Sequence, residues 1–179
     1  MTDKIRIIGA SLAAMAGILL VSGVAWAQAE KTSIAFVLGT CEDLAEPERE
    51  WVDEDGIQHA RDVRYSCPRR RNITGEEVGW YSNDRDSTGG HLFTRAYYSF
   101  AGTILGEPAT GVGRVTEECN RIEGVWNCTG HDVMHLHGGE LVTASATWKG
   151  ADRVVVWSGT LLDPPGGESR QGPRSRRRR

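Results

Sequence analysis

Two consecutive β-hairpins predicted within residues 112–148 constrain the fold of this chain more than any other feature. In the first, Glu123-Gly124 stands midway between Cys119 and Cys128. A two-residue loop there brings the two cysteines opposite each other, because Gly124 supplies the positive φ that tight hairpin turns need. The cysteines then form a non-hydrogen-bonded pair, whose Cα separation of about 4.5 Å suits a disulfide. We predict a Cys119–Cys128 bridge; the alternative, two buried free thiols, requires a reducing compartment.

The second hairpin carries three histidines. A two-residue turn at Gly138-Gly139 predicts that His137 pairs with Glu140 and His135 with Val142. Side chains alternate across a strand, so one face of the sheet carries all the histidines of this strand, namely His131, His135 and His137. The small alanines that this register places opposite them leave room for a cavity if the histidine face points inward.

The same histidines suggest a metal site. An H-x-H pair on a strand presents two imidazoles to one divalent ion, and a carboxylate across the turn can add a third ligand. The predicted metal ligands are His131, His135, His137 and Glu140. The preferred interpretation is a solvent-facing hairpin end without a cofactor, and a divalent metal ion is the alternative.

The first 29 residues resemble a secretory signal peptide. Lys4 and Arg6 form a positive start, residues 7–24 are apolar, and residues 25–29 offer a small-x-small cleavage site. We predict cleavage there, no transmembrane span afterwards, and a secreted or periplasmic protein. Four cysteines used as bridges agree with an oxidising compartment, and once the first pair is assigned a second bridge is left, Cys41–Cys67.

Charge divides the remaining chain into an acidic body and a basic end. Residues 30–163 are long enough for one domain with a core. Residues 30–169 hold 23 acidic and 13 basic side chains, a balance that argues against nucleic-acid binding. Residues 164–179 hold six arginines and nothing apolar to bury, so they are predicted to form a disordered tail. This tail either contacts anionic surfaces weakly or is merely solvated.

Short alternating segments separated by Gly- and Pro-rich turns predict an all-β domain. Outside the two hairpins, strands are predicted at 33–38, 57–67, 77–82, 91–102 and 153–162, and Pro68 with the arginines after it is predicted to end the second. Pairing between sequence neighbours favours a small antiparallel β-barrel of about eight strands, which removes exposed edges by closing. A β-sandwich is the alternative.

Part of this pattern is similar to a known family. Residues 126–142, with Cys128, Gly130 and the Gly138-Gly139 turn, resemble the hairpin common in allene oxide cyclase-like barrels, which are relatives of dirigent proteins. Residues 97–113 are similar to the strand–Gly–strand segment that precedes it. The resemblance covers about half of the mature domain and implies an eight-stranded, often exported barrel with an apolar lumen. His137 stands where the pattern usually has proline, and no catalytic residue of a cyclase has a match here.

These observations favour a binding or structural module over an enzyme. The predicted ligand is a small apolar molecule, and the candidate pocket residues are His135, Trp148 and Trp126. One alternative is a metal-dependent or cyclase/isomerase-like enzyme using the histidine strand, and another is an envelope-associated protein held by its basic tail. Catalytic residues stay unassigned, since no nucleophile or nucleotide-binding motif is present. The neighbouring Glu117 and Glu118 point to opposite faces of a strand and so do not act as a pair.

Overall fold

The computed structural model describes residues 30–86, 88–150 and 154–163. These ranges form ten strands and no helix. The strands are β1 (Lys31–Leu38), β2 (Glu42–Asp43), β3 (Arg49–Val52), β4 (Ile57–Arg71), β5 (Ile73–Asp86), β6 (His91–Ile104), β7 (Glu107–Ile122), β8 (Val125–Leu136), β9 (Leu141–Lys149) and β10 (Val156–Leu162). The predicted signal peptide (1–29) and basic tail (164–179) lie outside the described residues.

Eight of these strands close into an antiparallel ring. Each strand from β4 to β10 pairs with the next, β10 pairs with β1, and β1 returns to β4. The ring is uneven: β6 pairs with β7 along its whole length, whereas β1 and β4 share only a short ladder from Phe36–Arg71 to Leu38–Arg69. The short strands β2 and β3 lie against β4. The prediction of an all-β, antiparallel barrel-like fold of about eight strands is confirmed.

Alternate residues of each strand fill the interior of the ring. Trp157 of β10 is 1% exposed and stacks on Phe36 of β1, with ring centroids 5.9 Å apart. Gly130 of β8 makes room for this indole, because a Cβ there would lie 2.4 Å from Trp157 Cη2. The contact therefore joins three strands around the place where the ring is completed.

Strand β4 is longer than the sequence predicts, because Pro68 does not end it. In an antiparallel ladder the nitrogen and carbonyl of one residue point to the same side. The carbonyl of Pro68 accepts a hydrogen bond from Gly39 N at 2.7 Å, so its nitrogen faces the gap between the β1 and β2 pairings. A missing N–H costs little at such a gap, and β4 continues to Arg71.

The first hairpin forms as predicted. Glu123 and Gly124 both adopt positive φ, 51° and 82°, which is the geometry of a two-residue type I′ turn. The register places Cys119 opposite Cys128 with a Cα separation of 4.1 Å. The two residues form a disulfide, and the second predicted bridge, Cys41–Cys67, is also present.

The predicted register of the second hairpin is wrong by one residue. The chain turns through residues 137–140, with Leu136 N donating to Glu140 O at 2.9 Å and Gly139 N donating to Leu136 O at 3.0 Å. His135 therefore pairs with Leu141 instead of Val142. A one-residue slip reverses the faces of a strand relative to its neighbour. As a result the alanines of β9 lie opposite the face of Asp132 and Met134, and not opposite the histidines.

Removing the hairpin disulfide is expected to reduce stability moderately. Replacing Cys119 and Cys128 together with alanine should lower the free energy of unfolding by about 2–3 kcal/mol, because the bridge closes a short loop in the unfolded chain. Urea denaturation of the oxidised protein measures this. The matched control replaces the adjacent cross-strand pair, Asn120 and Asn127, with alanine, and should change stability by about 0.5 kcal/mol or less. Equal effects of the two double variants would contradict the assignment.

Candidate functional site

A buried arginine occupies the barrel interior. Arg69 of β4 is 1% exposed, and its Nε donates to Glu77 Oε2 of β5 at 2.6 Å. Its Nη2 lies 2.8 Å from Asp132 Oδ2 of β8. The guanidinium carbon also lies 4.6 Å from the ring centroid of Phe36 and 4.7 Å from that of Tyr98. One cation thus connects strands on different sides of the ring.

Two tyrosine hydroxyls complete this ion cluster. Tyr98 Oη donates to Asp132 Oδ1 at 2.6 Å, and Tyr65 Oη donates to Glu77 Oε1 at 3.2 Å. Burial raises the pKa of both carboxyls, against the opposing charge of Arg69. Burial disfavours the charge of Arg69, but the adjacent carboxylates of Asp132 and Glu77 raise its pKa. The cluster is enclosed, and Arg69 Nη1 has no hydrogen-bond partner among the described residues, so the guanidinium is held mainly by its ion pairs and its bond to Glu77.

A cavity of about 270 Å³ lies beside the ion cluster, where β1 ends and β2 begins. Its wall is mostly apolar and aromatic, formed by Leu38, Cys41, Tyr65, Cys67, Tyr81, Ala96 and Val115. A few polar side chains reach the same space: Asp43, Glu77, Asn83, Thr94 and Glu117. Apolar walls with a small number of polar groups are typical of small-molecule sites.

Glu117 is the carboxyl of the cavity wall that has no hydrogen-bond or ion-pair partner among the described residues. It lies on β7 beside Thr94 of β6 and Gly130 of β8. Among the described residues, no hydrogen bond or ion pair reaches its carboxyl group. Burial, and to a smaller extent the charge of Glu77, raises the pKa of Glu117 to about 7. A carboxyl so perturbed in a cavity is typical of a functional site.

The neighbouring acid on β7 faces the other way. Glu118 is exposed and its Oε1 lies 3.2 Å from His91 Nε2. The prediction that Glu117 and Glu118 occupy opposite faces is confirmed. From the sequence alone, Glu117 and Glu118 could be assigned to opposite faces of the strand. Nothing in the sequence indicated that the face of Glu117 lines a cavity.

Two tyrosine rings form the aromatic part of the wall. The rings of Tyr65 and Tyr81 meet edge to face, with centroids 5.8 Å apart. Burial, together with a hydrogen bond to Asp43, raises the pKa of Tyr81 to about 12. Both phenols therefore remain neutral at physiological pH and present their rings to the cavity.

The Cys41–Cys67 disulfide is itself part of the cavity wall. It ties the segment after β1 to the inner face of β4, next to the hydrogen bond from Gly39 N to Pro68 O. This covalent link holds Asp43, two residues after Cys41, at the cavity. A site that is fixed before binding loses less entropy when a ligand enters.

The predicted metal ligands do not line this cavity. His131, His135 and His137 are exposed, and Nδ1 of His137 lies 2.9 Å from Thr110 Oγ1. Within the described ranges, no group of three or more His, Cys, Asp or Glu side chains is arranged to hold a metal ion. The sequence left open which face of this hairpin points inward, and in the structure the histidine face is the outer one.

The predicted pocket residues are also separated from one another. His135 lies in an outer groove with Trp80 and Tyr97. Trp148 points toward the interior, where its ring centroid lies 6.3 Å from that of Trp157. It pairs with Cys128, at the other end of the β8–β9 ladder from His135. Trp126 is half-buried opposite Arg121 in the first hairpin. The structure does not bring these three residues together in one pocket.

A second polar cluster lies on the outside of the barrel, and the sequence analysis missed it. His59 of β4 stands between two carboxylates, with Nε2 2.9 Å from Asp53 Oδ2 and Nδ1 2.7 Å from Asp84 Oδ1. The exposed Trp51 stacks on its ring at 4.7 Å. Hydrogen bonds to Asp53 and Asp84 raise the pKa of His59, and the bond with His59 lowers that of Asp53. We call this group the Asp53–His59–Asp84 clasp.

Cations also face the clasp. Arg61 bonds to Asp84 and its Nη2 lies 3.0 Å from His59 Nδ1, and Arg95 Nη2 lies 3.6 Å from Asp84 Oδ2. Against the effect of burial, hydrogen bonds from His59 and Arg61 lower the pKa of Asp84, and the two carboxylates raise the pKa of His59. The clasp thus attaches β3 and its following turn to β4 and β5.

The clasp is expected to make stability depend on pH. The pKa of His59 is higher in the folded protein than in the unfolded chain, where it is about 6.5. The stability that His59 adds through its two carboxylates is therefore complete below about pH 6.5, and it is lost as pH rises through the folded-state pKa. The destabilisation caused by His59→Leu should therefore be larger at pH 6 than at pH 9 in urea titrations. The matched control is His91→Leu, at an exposed histidine beside one carboxylate, which should lower stability less than His59→Leu at pH 6. A pH-independent effect of His59→Leu would contradict the clasp.

No family model, no curated protein and no solved structure matches this chain. The described residues include no helix that is long and apolar enough to cross a membrane. The two disulfides indicate folding in an oxidising environment.

Proposed function

We propose that this protein binds one small, largely apolar molecule in the cavity beside Glu117. The observation that carries the proposal is the cavity itself: about 270 Å³ of space with an apolar and aromatic wall and a few converging polar groups. The ion cluster next to it and the disulfide in its wall support a site that is formed before the ligand arrives.

We further propose that the protein works outside the cytosol. The predicted signal peptide in residues 1–29 and the two disulfides support export to a secreted or periplasmic location. We also propose a relationship to allene oxide cyclase-like barrels. The ring of eight strands supports this proposal, because such barrels have eight strands.

Binding of a neutral aromatic probe tests the proposed site. Isothermal titration of the purified, disulfide-bonded protein with 1-naphthalenemethanol should give saturable 1:1 binding. Ala96→Phe fills the cavity from β6 and should abolish binding. Ser99→Phe adds a similar side chain to the exposed face of the same strand and should leave binding unchanged. Binding that survives Ala96→Phe, or no saturable binding by the parent protein, would overturn the proposal.

A further inference from the structure

The polar side chains of the cavity differ in whether they already have a partner in the protein. Every charged side chain in its wall is a carboxylate: Asp43, Glu77 and Glu117. Two of these already have partners in the protein, since Glu77 is paired with Arg69 and Asp43 accepts a hydrogen bond from Tyr81. Glu117 has none among the described residues. The cavity therefore leaves one acceptor group for a ligand to satisfy.

The aromatic wall selects the same kind of ligand. Tyr65 and Tyr81 line the cavity together with Glu117, and their two rings meet edge to face. Aromatic rings offer a large apolar contact surface to the body of such a ligand. Glu117 is only partly exposed, so its carboxylate is incompletely solvated, and a positively charged hydrogen-bond donor offsets that loss.

We infer that the cavity takes a small organic amine in its protonated form, with the ammonium group on Glu117 and the apolar body against the tyrosine rings and Val115. This inference rests on the proposed binding function and specifies the ligand class. It explains why a cavity with a mostly apolar wall contains a carboxyl without a partner. The chemistry required is a primary or secondary amine carrying a compact apolar group.

Ionisation of Glu117 should control the affinity. The titratable groups that share the cavity with it are Asp43, Tyr65, Glu77 and Tyr81, and Arg69 lies behind Glu77. Since the pKa of Glu117 is raised to about 7, an amine at acidic pH must displace the proton of this carboxyl before it can pair with it. Amine binding should therefore strengthen as pH rises through that value, whereas binding of a neutral molecule should not.

A matched pair of probes tests the inference. We expect 1-naphthylmethylamine to bind about tenfold or more tightly than 1-naphthalenemethanol at about pH 8, and this preference to disappear at about pH 5. Glu117→Gln should remove both the preference and its pH dependence. The same variant should still bind the alcohol, which also shows that it is folded.

The two probes separate the failure of this inference from the failure of the proposed function. Equal binding of amine and alcohol by the parent protein, at both pH values, would overturn the amine assignment and leave the cavity as a site for neutral ligands. A preference for the amine that persists in Glu117→Gln would also overturn it. Binding of neither probe would overturn the proposed function together with the inference.

Discussion

Replacing Arg69 with methionine is expected to lower the free energy of unfolding by about 3–5 kcal/mol at neutral pH. The substitution keeps the apolar stem but leaves Glu77 and Asp132 buried without their cation. Uncompensated charge in the interior costs far more than the loss of one exposed ion pair. Chemical denaturation followed by tryptophan fluorescence and circular dichroism would measure the change.

The pH dependence of that loss identifies its cause. Without Arg69, burial keeps the pKa values of Glu77 and Asp132 above their unfolded values of about 4. The folded variant then binds protons more tightly than the unfolded chain, so its deficit should grow as pH rises from about 5 to about 8. Arg70→Met, at the exposed neighbouring position of β4, is the matched control and should cost about 0.5 kcal/mol or less. A small, pH-independent loss in Arg69→Met would contradict the buried cluster.

Truncating Trp157 to alanine is expected to cost about 3–5 kcal/mol, because it leaves a cavity among β1, β8 and β10. The indole is 1% exposed, stacks on Phe36 and occupies the space that Gly130 provides. The strand that carries it pairs with both β1 and β9, so the loss affects the packing of three neighbouring strands. Thermal and urea unfolding would both report the change.

The neighbouring position on the same strand supplies the control for Trp157. Val156 is 39% exposed, and Val156→Ala should lower stability only slightly. If Trp157→Ala and Val156→Ala were equally mild, the packing of β10 against the interior would be wrong.

Local chemistry explains why one hairpin could be predicted in full and the other only in part. Glu123-Gly124 suits a two-residue turn and two cysteines mark the pair that must meet, so independent signals define one register. Gly138-Gly139 is compatible with turns of several lengths, and no pair of cysteines follows it to fix the register. The turn spans residues 137–140, and the resulting one-residue slip moves the histidines away from the alanines of β9.

The charged interior could not be predicted from any local pattern. Arg69 stands in a run of arginines after Pro68 that reads as the end of a strand, and Asp132 alternates with histidines. Their burial depends on each other and on Glu77, across strands far apart in sequence. Propensity and alternation describe one strand at a time, so they do not reveal a cation and two carboxylates that form ion pairs across a barrel.

The position of the cavity could not be predicted from the sequence either, because it also depends on contacts between distant strands. Its wall combines residues from β1, β2 and β4 to β7, including a disulfide whose partners are well separated in the chain. The sequence shows that Glu117 and Glu118 occupy opposite faces of a strand. Which face is inward depends on how the ring closes, and that closure is a short pairing of β1 with β4 that no turn encodes.

The proposed site depends most on Glu117, whose carboxyl lies in a mostly apolar cavity without a partner among the described residues. Selective carbon-13 labelling of glutamate, with Glu117→Gln to assign its signal, would let nuclear magnetic resonance follow the titration of this carboxyl in the full chain. The structure predicts a pKa of about 7, raised by burial and by the charge of Glu77. A titration near the ordinary glutamate value of about 4.3 would mean that the group is solvated, and would contradict the site.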